Sequence, residues 1–380
     1  MRSFPVLLLL VLALPVHAHA QHAAAGEPQP LPYYAIVPEG YHCVRTDAAP
    51  RIDGRIDDAV WARAEWTNDF VDIQGDMPGH EPAVGAPRFR TRVKMLWDDR
   101  AFYFAAELEE PQVSASLLMR DTVIFRDNDF EIFVDPDGDH HRYYEFEMNA
   151  YNTVWDLFLP KPYRDGGPAD NSWDIRGLAS AVAIDGTIND ARDTDRGWTL
   201  EVAIPWSAFD RCAQAGRAPS SGDAWRVNFS RVEWRYASEN GRSVKVPGLP
   251  EDNWVWSAQG VIDMHRPEKW GEVRFVDRAP EPFRIDATTG RQLTGRQLTG
   301  HAACTGALMQ LFRVYWAQKA YHKAHGRWAA SLGDLALDHP AVFQRQTPVR
   351  LHMTKGGGWE CETSCNDEIF VLDHQSRLHR

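Results

Sequence analysis

The stretch DFEIFVDPDGDHHRYYEFEMN, residues 129–149, alternates apolar and polar side chains on both sides of Asp135-Pro136-Asp137-Gly138. Period-two alternation marks a strand with one face covered. Asp-Pro-Asp-Gly is a strong turn sequence, because Pro presets φ and Gly accepts a positive one. The segment therefore reads as a β-hairpin. Its two strands carry Glu131 and Glu147 toward one sheet face, where they can form an acidic, hydroxyl-accepting site.

The same texture extends outward in both directions. RTRVKMLWD, AFYFAAELEE, TVWDLFL, WTLEVAIPW, WRVNFSRVEW and WGEVRFVD are short apolar or alternating runs separated by Gly, Pro, Asn and Asp. Val93, Met95 and Trp97 point inward next to a hairpin loop at Asp98-Asp99-Arg100, and Trp198, Leu200, Val202 and Ile204 form the inward face of a strand ended by Pro205. Asp53-Gly54 supplies a turn, and Asp57 can cap a short helix that buries Trp61. Many strands without helix alternation predict a mainly β chain, an antiparallel β-sandwich over residues 41–277.

The flanks differ. Arg2 followed by the apolar run VLLLLVLALPV and by Ala18-His19-Ala20 reads as a signal peptide over residues 1–20, so a secreted or periplasmic protein is expected. Residues 21–40 are rich in Pro and Ala and read as a linker, as do residues 278–300, which repeat GRQLT. Residues 301–380 open with Leu308, Leu311, Phe312, Tyr315 and Trp316 at helical spacing, Gly326 ends the helix, and the strand-like runs VRLHM and EIFVL follow. This reads as a small α+β module, a candidate for docking a protein partner.

A formal net charge of −12 argues against nucleic acid and anionic lipid as partners. No later run is long enough to insert in a membrane. Five cysteines leave at least one unpaired; Cys304 with Cys361 or Cys365, and Cys43 with Cys212, are the candidate pairs. Fifteen Trp are first of all core residues, though an exported, acidic, Trp-rich chain modestly favours contact with sugars.

Seven blocks in order resemble family 9 carbohydrate-binding modules and their DOMON-like β-sandwich: RIDGRIDDAVWARAEW, VKMLWDDRAFYFAAEL, RDNDFEIFVDPDG, YYEFEMNAYNTVWD, DRGWTLEVAIPW, WRVNFSRVEW and HRPEKWGEVRF. The resemblance implies a sugar gripped between two aromatic rings and hydrogen-bonded by strand side chains. Glu131 matches the strand carboxylate and Asn149 the strand amide. Phe125 stands in for one stacking Trp, and Met264-His265 for the other. Trp254 or Trp256 can supply the missing ring, Glu147 replaces an Arg, and Glu147 or Arg126 would tune specificity. In the plainer alternative, Glu147 is ion-paired to Arg126, Arg142 or Arg231.

Relatives of this kind also hold structural calcium, for which Asp135, Asp137 and Asp139 are the candidates. An EF-hand loop fails here, with His140 where Gly is needed, so a plain turn is the simpler reading. No nucleophile elbow, zinc helix or phosphate loop is present. The expected function is non-catalytic saccharide binding, without a certain cofactor. Hydrolysis of glycosidic bonds by carboxylates such as Glu131, Glu147, Glu233 or Asp156, and a cell-envelope scaffold role, are the alternatives.

Overall fold

A computed structural model describes residues 29–75, 77, 86–212, 215–278, 300–338 and 349–380. The expected signal peptide and most of the repeat-bearing linker lie outside the described residues. Fourteen strands precede the helices: β1 Gly40–Arg45, β2 Val71–Asp72, β3 Thr91–Trp97, β4 Ala101–Glu109, β5 Asp129–Asp135, β6 Tyr143–Asn149 and β7 Val154–Leu159. They continue as β8 Ala179–Asp185, β9 Gly197–Pro205, β10 Ala224–Glu233, β11 Tyr236–Glu239, β12 Arg242–Lys245, β13 Asp252–Val255 and β14 Gly271–Val276.

Ten of these form one continuous sheet in the order β7-β6-β5-β10-β14-β1-β3-β4-β9-β8, with β13 and β2 added beside β10. The expected sandwich is thus a single sheet doubled over on itself. Its fold line is β1, which pairs in parallel with both β14 and β3, whereas the ladders on either side are antiparallel. Phe104 of β4 meets Phe229 of β10 at 5.8 Å between ring centroids, and Phe102 meets Trp225 at 6.1 Å, so the two halves share one aromatic core. Val93, Met95, Trp97, Trp198, Leu200, Val202 and Ile204 all belong to it.

The Asp53-Gly54 turn has a tertiary reason. Glu201 accepts hydrogen bonds from both backbone N–H groups, at 2.9 Å each, and from the Trp61 indole at 2.7 Å. Gly54 has φ +84°, and a Cβ there would lie 2.5 Å from the backbone of Val182. Trp61 is buried on a 3-10 turn, Ala59–Arg63, as expected, but Asp57 is not its cap: Asp58 holds the N-cap position and spends its carboxylate on Arg51 N instead.

The C-terminal residues form α1 Gly300–His325, α2 Leu332–Asp338, and a four-stranded sheet of β15 Arg350–Met353, β16 Trp359–Cys365, β17 Glu368–Asp373 and β18 Leu378–His379. Cys304 pairs with Cys365. Cys43, Cys212 and Cys361 are buried thiols outside any disulfide, so the candidate Cys43–Cys212 bridge does not form; both side chains belong to the apolar core, and the Cys212 thiol donates to the Phe209 carbonyl.

This module is seated on the sandwich. Within the stretch expected to be a linker, residues 31–35 form a 3-10 turn whose Tyr33 and Tyr34 are buried among Met309, Phe312 and other residues of α1. Arg164 binds Glu268 through two bonds of 3.1 and 2.9 Å, and Asp165 accepts from Tyr315 and Ser376 at 2.6 Å each. Buried ion pairs of this kind hold position rather than add much stability, because desolvation offsets their attraction.

Candidate functional site

The β5–β6 hairpin divides its side chains as the alternation requires. Phe130, Ile132, Val134, Tyr144, Phe146 and Met148 enter the core. The opposite face carries Glu131, Phe133, Glu145 and Glu147, with Glu131 directly across the ladder from Glu147 and Phe133 from Glu145. β7 extends this face by placing Trp155 beside Glu147 and Leu157 beside Glu145.

Over the face lies a cavity of about 200 Å³. Its floor is the three glutamates. Its walls include Phe125, Trp155, Tyr163, Asn253, Met264 and His265. Phe125 and Trp155 stand 6.5 Å apart between centroids, and the Phe125 carbonyl is fastened by the Trp234 indole at 2.8 Å. His265 packs edge-on to Tyr163 at 4.4 Å, with its Nδ1 2.9 Å from the Tyr143 hydroxyl. The volume is below the ~300–1,000 Å³ of drug-sized pockets and suits one small ring.

Burial sets the electrostatics. It pushes the Glu131 carboxyl up to about 7. Glu145 and Glu147 are raised well above the usual carboxylate range, first by burial and then by the charge of Glu131. Such groups accept hydrogen bonds when ionised and donate when protonated.

Of the residues singled out from sequence, Phe125, Glu131 and Glu147 meet in this cavity. Glu147 takes the Phe125 N–H at 3.2 Å, and among the described residues it has no ion pair. The arginines expected to neutralise it are engaged elsewhere, Arg142 with Asp137 and Asp139, Arg231 with Glu233 and Glu110.

Four expected ligand residues are elsewhere. Asn149 is fully buried with its amide committed to the β6–β7 turn: its nitrogen donates to Leu117 O and Asp127, and its oxygen accepts from the N–H groups of Tyr151 and Thr153. Trp254 and Trp256 are core residues, packed on Phe89 and on Tyr41 and Phe229 respectively. The alternation of β13 sends Asn253 to the cavity and Trp254 to the core, and a one-residue difference is enough to exchange faces. Arg126 is exposed and offers only its carbonyl, to the Lys245 ammonium.

Met264 and His265, matched to the second stacking Trp, also line the cavity, whereas Glu145, Trp155 and Tyr163 are cavity residues not singled out from the sequence. Glu145 and Trp155 were within reach of it, since both share the parity of Glu147 in the β6–β7 ladder. Tyr163 begins a 3-10 turn in an irregular loop and carries no such signal.

Asp135, Asp137 and Asp139, the candidates for calcium, bring a carboxylate oxygen each within 4.8 Å of one another, and the same carboxylates also meet protein donors. Asp139 is 3.1 Å from Arg142 and 3.0 Å from Arg377, Asp137 is 3.1 Å from Arg142, and Asp135 accepts the N–H groups of Gly138 and His140. Guanidinium groups and backbone donors thus serve several of these oxygens in the structure. The loop also seats the C-terminal module: His141 Nε2 lies 2.8 Å from the Gln375 carbonyl, and Leu378 N–H donates to the Asp139 carbonyl at 3.0 Å.

A doubled, mainly β sheet with an acidic, aromatic-walled cavity on one face is the frame to which the comparisons attach. The family model for the carbohydrate family 9 binding domain-like proteins matches residues 52–277. The chain belongs to that family. It is 26% identical over 162 residues to exoglucanase XynX of Acetivibrio thermocellus and 25% identical over 195 residues to endo-1,4-beta-xylanase A of Thermoanaerobacterium saccharolyticum. These matches span 42% and 51% of this chain but only 12% and 13% of those proteins. A family 9 carbohydrate-binding module from Caldicellulosiruptor kristjanssonii, solved with cellotriose, aligns over 65% of this chain and 100% of its own length, with 17% identity and a TM-score of 0.41.

Proposed function

We propose that the protein is an exported, non-catalytic saccharide-binding protein that holds one sugar ring in the cavity above β5, β6 and β7. The observation that carries this reading is the meeting of Phe125, Glu131 and Glu147 with Trp155 and Tyr163 around one half-open cavity. Pyranose rings offer apolar CH faces to aromatic walls and hydroxyls to carboxylates, and this cavity supplies both. Family membership and the saccharide-directed names of the curated relatives support it. The Cys304–Cys365 bridge supports export, since disulfides persist in oxidising compartments.

A glycan array followed by calorimetry on wild type, Glu131→Ala and Trp155→Ala tests the proposal. Binding by wild type that weakens in both variants is expected; no saccharide bound by wild type sinks it. Release of reducing sugar from a polysaccharide would favour the hydrolase alternative, and protein capture that requires residues 301–380 would favour the scaffold.

A further inference from the structure

Several buried carboxylates in this protein are matched by a cation, and others, such as Glu201 and Asp127, by three or more hydrogen-bond donors. Glu268 is held by Arg164 at 2.9 Å, Asp263 by Arg266 at 2.8 Å, and Glu233 by Arg231 at 2.8 Å. The cavity floor has neither: among the described residues its glutamates have no ion pair, and Glu147 takes one backbone N–H, that of Phe125. Glu131, Glu145 and Glu147 are each at most 5% exposed, and among the described residues that line the cavity none is a lysine or arginine. These carboxyls, with Asp129 beside Glu131 and Glu147, are costly to bury in ionised form, and burial raises all four.

Two further atoms there lack partners among the described residues. One is a Glu145 carboxyl oxygen, Oε2; the other is Trp155 Nε1, on a ring only 8% exposed that lines the same cavity. Trp155 does not belong to the acidic group, so its idle N–H is a separate sign that something polar completes the site. Phe125, Trp155 and Tyr163 supply ring faces, which attract organic cations. Asp129, Glu131 and Glu147 lie close enough together to hold a metal ion, but the aromatic walls add nothing for such an ion and do add attraction for an organic cation.

We propose that the saccharide taken by this cavity carries a free, protonated amine: an amino sugar whose ammonium sits against Glu131, Glu145 and Glu147, with its ring against Trp155 and Phe125. The proposal deepens the saccharide-binding reading and rests on it. The ammonium donates hydrogen bonds to the carboxyl oxygens and favours their ionised form, which burial otherwise disfavours, and Trp155 Nε1 donates to a ring hydroxyl. Uronates and sulfated sugars are excluded by like charge.

The test is calorimetry on the full chain with four ligands: glucosamine, its N-acetyl derivative, glucose and glucuronate, each also as the β-1,4-linked oligomer where one exists. The free amine is expected to bind at least about tenfold more tightly than the N-acetyl and hydroxyl analogues, the increment of charge-assisted over neutral hydrogen bonds. Glucuronate is expected not to bind. Glu145→Gln and, independently, Glu147→Gln should each narrow the preference. Equal affinity for glucose and glucosamine, weakened by Trp155→Ala, overturns the amine proposal and leaves saccharide binding standing. Failure of every sugar overturns both. Calcium that fills the site and leaves the amine without preference also overturns it.

Discussion

Glu131 and Glu147 face each other across the β5–β6 ladder, both buried, and among the described residues neither has an ion pair. Ionised together, two carboxylates directly opposite on a sheet are destabilising, and each here is raised above its ordinary range. The pair is therefore a feature that folding alone would not choose, and it makes the hairpin the place to probe.

The first prediction concerns protons. Folded Glu131 keeps its proton to about pH 7, whereas the ordinary carboxyl releases it near 4.5. Between those values the folded state binds more protons than the unfolded state, so this contribution is full below pH 4.5 and is lost as pH rises through 7. Its size is on the order of 3 kcal/mol. Urea unfolding of wild type and Glu131→Gln at pH 5 and pH 8 should show the wild type losing stability relative to the variant at the higher pH. A relative gain at pH 8 contradicts the burial argument.

Asn149 should separate from the cavity residues. Removing its four hydrogen bonds with Asn149→Ala should cost about 2–4 kcal/mol of stability. Sugar affinity of the protein that remains folded should stay close to wild type, whereas Trp155→Ala should do the reverse. Calorimetry beside denaturation decides, and loss of affinity at full stability in Asn149→Ala would return this amide to the site.

The seat of the C-terminal module depends on Arg164. Arg164→Ala leaves Glu268 buried with its main counter-charge gone, a loss of about 3–5 kcal/mol. Proteolysis between the sandwich and α1 should accelerate along with it. Unchanged unfolding and cleavage would mean that the interface is held by its apolar contacts alone.

Cysteine chemistry gives a simple count. Denatured, unreduced protein should present three titratable thiols, Cys43, Cys212 and Cys361, and native protein none at comparable rate, since all three are buried. Removing the Cys304–Cys365 bridge should cost about 4 kcal/mol for a loop of this length. One free thiol in the denatured protein would restore the Cys43–Cys212 bridge.

The amino-acid sequence by itself determined the strands and their sidedness. Period-two alternation placed Val93, Met95 and Trp97 in the core and put Glu131 and Glu147 on one face, because alternate residues of a strand have no choice but to share a face. What alternation does not say is which face becomes covered, and by what. Tertiary structure decided that the β13 parity sends Trp254 to the core and Asn253 to the cavity. It turned Asn149 into a turn fastener, gave the aspartates of DPDGD to arginines and backbone donors, and brought Tyr163 and His265 in from loops. Each of those outcomes depends on partners more than ten residues away or in irregular backbone, where no local period carries the information.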